Sequence, residues 1–355
     1  MARVVVVGGG YGGTTVAKAL DDVADVVLVE PRDAFHHNVA ALRALVSPDW
    51  PARMFLPYDR LLSRGSVLRD RAVSVVPSSV LLASGTELTA DYIVLATGSR
   101  YPFPAKADQL STVESLSRYA SAHVSLAGAA RVLLLGAGAV GLELAGEIEA
   151  AFPATHVTLV DPAPEILPGP YSPGLRDALR SQLSASFVLG SPLAAPPPVP
   201  AGVLQPFLVS TVDGRAIEAD IWFSCHGLTP VTDYLSGPVG DAIDPDGYLC
   251  VTPSLNVVGC PTVYAVGDIV GGDANRVSVA RAQAEVVAAN ISASLGGGAP
   301  AVYAPMPAMI VLPLGPSGGA GQRADGEILP AAIVSQAKGT DLFMARYHEL
   351  FNLPA

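Results

Sequence analysis

An α/β fold with two parallel sheets in series is what the sequence predicts, and three observations predict it. A short β-branched run, Val4 to Val7, leads into a glycine-rich turn and then a helix-forming stretch, Thr14 to Leu20. The same order returns at Arg131 to Leu135, with its own glycine turn and a helix from Leu142 to Glu149. Each copy closes on a strand ending in glycine, 90 positions from Gly8 to Gly98 and 91 from Gly136 to Gly227. Unrelated glycine loops have no reason to share that spacing. Short, nearly continuous apolar runs of this kind are strands buried on both faces of a parallel sheet.

The elements follow in order. In the first unit the turn is Gly8-Gly9-Gly10-Tyr11-Gly12-Gly13, the second strand is Val26 to Val29 ending at Glu30, and the closing strand is Asp91 to Gly98. Ser99 to Ala107 is polar and contains proline, as a crossover should. In the second unit the turn is Gly136 to Gly141, the second strand is Val157 to Val160 ending at Asp161, and the closing strand is Asp220 to Gly227. Within it, Ser191 to Gly202 carries Ala195-Pro196-Pro197-Pro198, which excludes helix or central strand and predicts a surface excursion. Further on, Thr262 to Asp268 reads as a strand, and Val277, Ala280, Ala284, Val287 and Ile291 have helical spacing. The last sixty or so residues hold apolar stretches, glycine turns and a final helix expected from Asp341 to Phe351.

Composition narrows the function classes. Half of the 355 residues are hydrophobic and only 15% are charged, which excludes a disordered chain. Lys+Arg 21 against Asp+Glu 32 gives a net charge of −11 with no basic run, so nucleic acid is not an expected partner. Cys225, Cys250 and Cys260 are too few and too scattered for a disulfide framework or a zinc site. The histidines closest in sequence are the consecutive His36 and His37, whose side chains diverge, so no metal is expected. No apolar run reaches the roughly 18 residues of a membrane span. The amino terminus enters a strand at once and has alanine at position 2, so neither a signal peptide nor N-myristoylation is expected, and a cytoplasmic location is.

The glycine turns carry specific chemistry. Gly8 permits the tight strand-to-helix turn, Gly10 lets the backbone approach a pyrophosphate, and Gly13 lets helix and strand pack closely. Phosphates then meet the free N–H groups and dipole of the helix N-terminus. Glu30, 22 positions after Gly8, stands where a carboxylate accepts ribose hydroxyls. Gly136, Gly138 and Gly141 repeat the pattern, with Asp161 25 positions after Gly136. A carboxylate there accepts a 2′-hydroxyl and repels a 2′-phosphate, which favours NADH over NADPH. Two Rossmann-like dinucleotide-binding domains in one chain suggest FAD beside NADH, because hydride can pass from nicotinamide to flavin.

These motifs, with Ala96-Thr97-Gly98, Gly141-Leu142-Glu143 and Ala265-Val266-Gly267-Asp268, resemble the pyridine-nucleotide–disulfide oxidoreductase superfamily. Phe35-His36-His37-Asn38-Val39-Ala40-Ala41-Leu42-Arg43-Ala44 is similar to its apoptosis-inducing-factor-2, or ferroptosis suppressor, branch, related to type II NADH dehydrogenases. The resemblance reaches Met309 to Gln322 and Asp341-Leu342-Phe343, and is poorest around Ser191 to Gly202. It implies an FAD-binding domain of residues 1–108 and 245–295, an NAD(P)H-binding domain of 109–244 and a short C-terminal α+β domain of 296–355. It implies FAD contacts from Gly8, Gly10, Gly13, Glu30 and Asp268, the last on the ribitol. It adds cofactor contacts from Gly12, Asn38, Val73, Ala96, Thr97, Gly98, Gly227, Gly267 and Val277, whose helix would aim its N-terminus at the flavin. Glu143 would orient the nicotinamide, or else be a solvated helix residue. Arg43 would reach the FAD phosphates, or form a surface salt bridge. His226 stands where relatives have threonine.

Disulfide reductases of the superfamily carry a redox cysteine pair after the position of Glu30; here Pro31 to Val46 contains no cysteine. Electrons must then leave the flavin directly, to a quinone-like compound or another small oxidant. Two readings stand for His36 and His37: imidazoles that donate a proton to a reduced quinone, or helix-start residues bonded to backbone. The stripe Phe343, Tyr347, Leu350 and Phe351 packs on the flavin domains, walls an acceptor tunnel, or touches a membrane surface, the last being disfavoured by its few basic residues. The implied activity is transfer of hydride from NADH to flavin N5 and on to a quinone or other small oxidant. A reductase for a one-electron carrier protein and a non-enzymatic redox sensor remain the alternatives.

Overall fold

The computed structural model describes residues 1–272 and 277–354. The first unit opens with β1 (Arg3–Val7), α1 (Tyr11–Leu20) and β2 (Asp25–Val29). A short antiparallel pair follows, β3 (Ala34–His36) and β4 (Phe55–Pro57), enclosing α2 (Ala41–Val46). β5 (Ser66–Leu68) is an edge strand; β6 (Ala72–Val76), β7 (Ser79–Leu82) and β8 (Glu87–Thr89) form an antiparallel meander before β9 (Tyr92–Leu95) re-enters the sheet. β10 (Ser99–Arg100) and α3 (Thr112–Ala127) lead to the second unit.

That unit runs through β11 (Arg131–Leu135), α4 (Ala139–Ala151), β12 (His156–Asp161), α5 (Pro173–Arg180) and β13 (Ser186–Leu189). It continues with a hairpin of β14 (Phe207–Ser210) and β15 (Ala216–Ala219), then β16 (Ile221–Ser224). β17 (Thr229–Pro230) and α6 (Gly237–Gly240) lead back to β18 (Asn256–Val257), β19 (Cys260–Ala265) and α7 (Val277–Gly296). The chain ends with β20 (Ile310–Leu314), β21 (Gly318–Gln322), β22 (Ile328–Leu329), α8 (Ala331–Val334) and α9 (Met344–Leu350).

The larger sheet has the order β18-β19-β9-β1-β2-β5, and the smaller has β13-β12-β11-β16. Apart from β18, their neighbours pair in parallel. Val4 to Val7, Ile93 to Leu95 and Leu133 to Leu134 are buried, as the β-branched and leucine runs require for central strands covered on both faces. β10 pairs antiparallel with β17, so the exits of the two units are joined to each other. The C-terminal sheet presses on α4 so closely that a Cβ at Gly146 would lie 2.5 Å from Leu314 Cα.

Three helix boundaries need correction. The final helix starts at Met344 rather than Asp341, because Leu342 and Phe343 take left-handed backbone (φ 53 and 63), which no helix continues. The proline-rich segment is irregular and mostly exposed, as expected for a surface excursion, and is anchored from within. Val199 is buried with Phe207, Val209 and Ile217, and its carbonyl accepts the Trp222 indole N–H at 2.8 Å. Helices α1 and α4 also begin earlier than the apolar pattern indicates, at the residue after Gly10 and after Gly138.

Candidate active site

Both glycine turns are wired alike. Gly8 and Gly136 adopt φ +105 and +112, a region closed to most side chains. A Cβ at Gly13 would lie 1.8 Å from Gly8 O, and one at Gly141 would lie 1.9 Å from Gly136 O, so each helix can sit on its strand only with glycine there. Gly10 and Gly138 are the N-cap residues of α1 and α4, and a Cβ at either meets nothing within 4 Å. These are open cradles at helix N-termini, with the free N–H groups and space that could hold a pyrophosphate.

The acids behind the cradles match as well. Glu30 accepts from Gly9 N at 2.7 Å and from Arg32 N at 3.0 Å. Asp161 accepts from Ala137 N at 2.7 Å and from Ala163 N at 2.8 Å. In each case the carboxylate holds the turn and has lone pairs left that could accept ribose hydroxyls. The first cradle has an added wall: the Tyr58 hydroxyl donates to Gly9 O at 2.8 Å. Beside it Arg32 Nε and both His36 ring nitrogens are buried without a hydrogen-bond partner in the protein, which is polar capacity left for a bound group.

Asp268, in a short turn after β19, accepts from the Ser99 hydroxyl at 2.6 Å and pairs with Lys106 at 3.0 Å. Gly267 N donates to Gln283 of α7 at 2.7 Å. A Cβ at Gly12 would lie 2.8 Å from Val266 and 3.6 Å from Ala280 O, so Gly12 brings the starts of α1 and α7, including Val277, side by side. Ala96, Thr97 and Gly98 leave β9 beside the same turn: a Cβ at Gly8 would meet Ala96 O at 2.5 Å, and the Thr97 hydroxyl donates to Val231 O. Asn38 opens a short 3-10 turn. Val73 lies at a slip in the β6–β7 register, with its side chain largely exposed. Gly227 takes φ +99 and, like His226, is exposed after β16.

His36 lies on β3 with its ring edge against Phe55, and burial holds its pKa down to about 3, Arg32 adding to the effect. His37 follows the strand and is the N-cap residue of the short 3-10 helix Asn38–Ala40. Its Nε2 is 2.7 Å from Leu342 O, a pure acceptor, so Nε2 carries the proton and Nδ1 is left to accept from the Tyr11 hydroxyl at 3.3 Å. Burial holds His37 down to about 4, against opposing pulls from the Leu342 carbonyl and Asp341. Burial thus disfavours the charged form of both imidazoles. Tyr347 and Phe351 are buried against Tyr11, Phe35, His37 and Tyr58, so the C-terminal stripe is a packed aromatic cluster; Phe343 precedes the helix.

Glu143 is not a solvated helix residue. It accepts from Lys338 Nζ at 2.6 Å, with both side chains mostly buried. Nor is Arg43 on the surface: its Nε meets Glu147 Oε2 at 2.5 Å and its Nη2 donates to Gly339 O at 3.0 Å. Lys338, Lys106, Tyr58 and Glu147 were not singled out by the sequence; each acts through a partner far along the chain, which no local motif marks. Cys225 is buried under Gly136, and burial pushes its thiol up to about 12, so it is not a nucleophile. Among the described residues no helix is long and apolar enough to cross a membrane.

Residues 2–284 match the family model described as pyridine nucleotide-disulphide oxidoreductase. The chain is 31% identical over 353 residues to ferroptosis suppressor protein 1 of Taeniopygia guttata, covering 97% of this chain and 94% of that one. It is 28% identical over 376 residues to apoptosis-inducing factor homolog B of Dictyostelium discoideum, covering 99% and 97%. The sulfide:quinone oxidoreductase of Aquifex aeolicus shares the fold, with a TM-score of 0.77 at 18% identity, covering 99% of this chain and 92% of that one. The chain thus belongs to the pyridine nucleotide-disulphide oxidoreductase family, as an NAD(P)H-dependent flavoprotein oxidoreductase of its ferroptosis-suppressor and apoptosis-inducing-factor-homologue branch.

Proposed function

We propose that the chain oxidises NADH and passes the two electrons to a quinone-like small molecule. The observation that carries this reading is the pair of open cradles at Gly10 and Gly138, each backed by a turn-holding carboxylate, with no reactive thiol between them. FAD, when bound, supplies a ring that takes up hydride and returns electrons to an acceptor. Residues 1–108 and 245–295 would hold it, through Gly8, Gly10, Gly13, Glu30 and Asp268. Residues 109–244 would hold NADH, and 296–355 would complete the site.

The chain's own groups have defined tasks in this scheme. Asp161 favours a free 2′-hydroxyl and so NADH over NADPH. Glu143, fixed by Lys338, orients the nicotinamide end of the second cradle. Lys106, beside Asp268, places a positive charge at the ribitol end of the first. His37 acts through Tyr11: it takes the phenol proton into a hydrogen bond and so fixes the hydroxyl at the start of α1. The test is anaerobic. NADH should bleach the yellow protein, and a short-chain quinone should restore its colour much faster than dioxygen or a carrier protein does. Reoxidation by a carrier protein alone would sink the proposed acceptor.

A further inference from the structure

Arg43 holds three parts of the chain at once. It belongs to α2 of the first unit, every residue of which is buried. Its Nε meets Glu147, on the third turn of α4, at 2.5 Å, with only 7% and 4% of the two side chains exposed. Its Nη2 donates to Gly339 O of the C-terminal unit at 3.0 Å, and its guanidinium lies 5.6 Å from the centre of the Trp50 ring. One turn earlier on α4, Glu143 takes Lys338, the residue before Gly339. The segment Ser335–Gly339 thus holds α4 directly through Lys338 and holds Arg43 through Gly339, and Arg43 in turn ties α4 to the first unit.

Helix α4 has little freedom elsewhere. It begins at the open cradle of Gly138, rests on Gly136 through Gly141, and lies against Leu314 through Gly146. Its position within the second unit is therefore set by backbone contact; relative to the first unit it packs on α2, where Arg43 supplies the directed polar tie. An ion pair this buried is a poor choice for stability, since apolar replacement of such pairs is often neutral or favourable. What it supplies is direction: a planar guanidinium with two fixed bonds allows one orientation.

We propose that Arg43 is a positioning residue for hydride transfer, pinning α4 so that the nicotinamide end of the second cradle meets the first unit at a fixed distance and angle. Arg43 and Glu147 neither give nor take a proton in the step. This inference rests on the proposed NADH oxidation, and it replaces a phosphate-binding role for Arg43 with a geometric one. A misplacement of about 1 Å far from the chemistry costs on the order of 100-fold in rate.

The experiment compares the wild type with the double variant Arg43→Met/Glu147→Leu, which removes both charges and keeps apolar bulk, and with Glu147→Gln. Four quantities are read: FAD content, NAD⁺ dissociation constant, limiting rate of anaerobic flavin reduction by NADH, and backbone hydrogen exchange across residues 335–342. The double variant should keep its FAD and bind NAD⁺ within about threefold of the wild type, while its limiting rate falls about 100-fold. Exchange across 335–342 should quicken about 10-fold as Gly339 loses its donor, and Glu147→Gln should fall between. Loss of FAD would make Arg43 a phosphate ligand and overturn the inference. So would a parallel loss of affinity, rate and melting temperature, which is general packing damage, or no change at all. If wild-type protein is not reduced by NADH, the proposed function fails instead, and unchanged exchange across 335–342 would still overturn the pin.

Discussion

The two cradles share their wiring and differ in their surroundings. Glycine angles, helix starts and carboxylate bonds repeat almost position for position. The first, however, sits in a six-stranded sheet, has the start of α7 beside the start of α1, and is closed by Tyr58 over Gly9. The second sits in a four-stranded sheet, and there the carbonyl matching Gly9 O, that of Ala137, accepts from the Leu167 backbone N–H at 2.8 Å instead of from a tyrosine. The contrast lies in what bridges each turn and in the sheet and helices around it, and the proposed assignment of FAD to the first cradle and NADH to the second remains to be tested by substitution.

The strongest way to break that assignment is a carboxylate in each cradle. Gly10 and Gly138 have φ −77 and no neighbour within 4 Å of a Cβ, and aspartate is a good N-cap, so both variants should fold. Gly10→Asp should yield colourless protein. Gly138→Asp should keep FAD but lose reduction by NADH roughly 1,000-fold, about 4 kcal/mol. The opposite outcome, read by visible absorbance, would exchange the two sites. Next in size, Gly13→Ala and Gly141→Ala force a Cβ onto a carbonyl and should each cost about 3 kcal/mol of stability or more, seen in thermal unfolding.

Acid sensitivity should separate the units too. His36 and His37 belong to the first, whereas His156 and His226 in the second are exposed. The folded pKa values of about 3 and about 4 lie below the unfolded value near 6.5, so their contribution is complete above that value. It is lost as pH falls toward 4, at about 1.4 kcal/mol per pH unit for each imidazole. Denaturant titration of His37→Gln should show a shallower acid limb; an unchanged limb would mean that the imidazole is charged in the folded state. The smallest effect is expected at Asp161→Ser, which should narrow the NADH preference about 10-fold. Unchanged preference would mean that the carboxylate serves only Ala137 and Ala163.

The sequence showed what is local. Gly8, Gly13, Gly136 and Gly141 are required by turns a few residues long, and Glu30 and Asp161 follow at offsets one βαβ unit imposes. It did not show Tyr58, Glu147 or Lys338, because their partners lie 49, 104 and 195 positions away. Arg43 was legible as important and misread in role, since its partner Glu147 sits in the other unit. The start of the final helix was read from apolar spacing alone, which carries no sign of the left-handed backbone at Leu342 and Phe343.

That left-handed pair has a consequence for the tail. Two non-glycine residues held there cost about 1–3 kcal/mol each, and Leu342 nonetheless presents its carbonyl to His37. A chain ending before Asp341 would leave a buried imidazole donor with no partner and strip Tyr347 from the face of Phe35. Termini are ordinarily where truncation is tolerated. In this molecule the length of the tail is dictated from the interior, and shortening it should be felt first at the start of α1, some three hundred residues upstream.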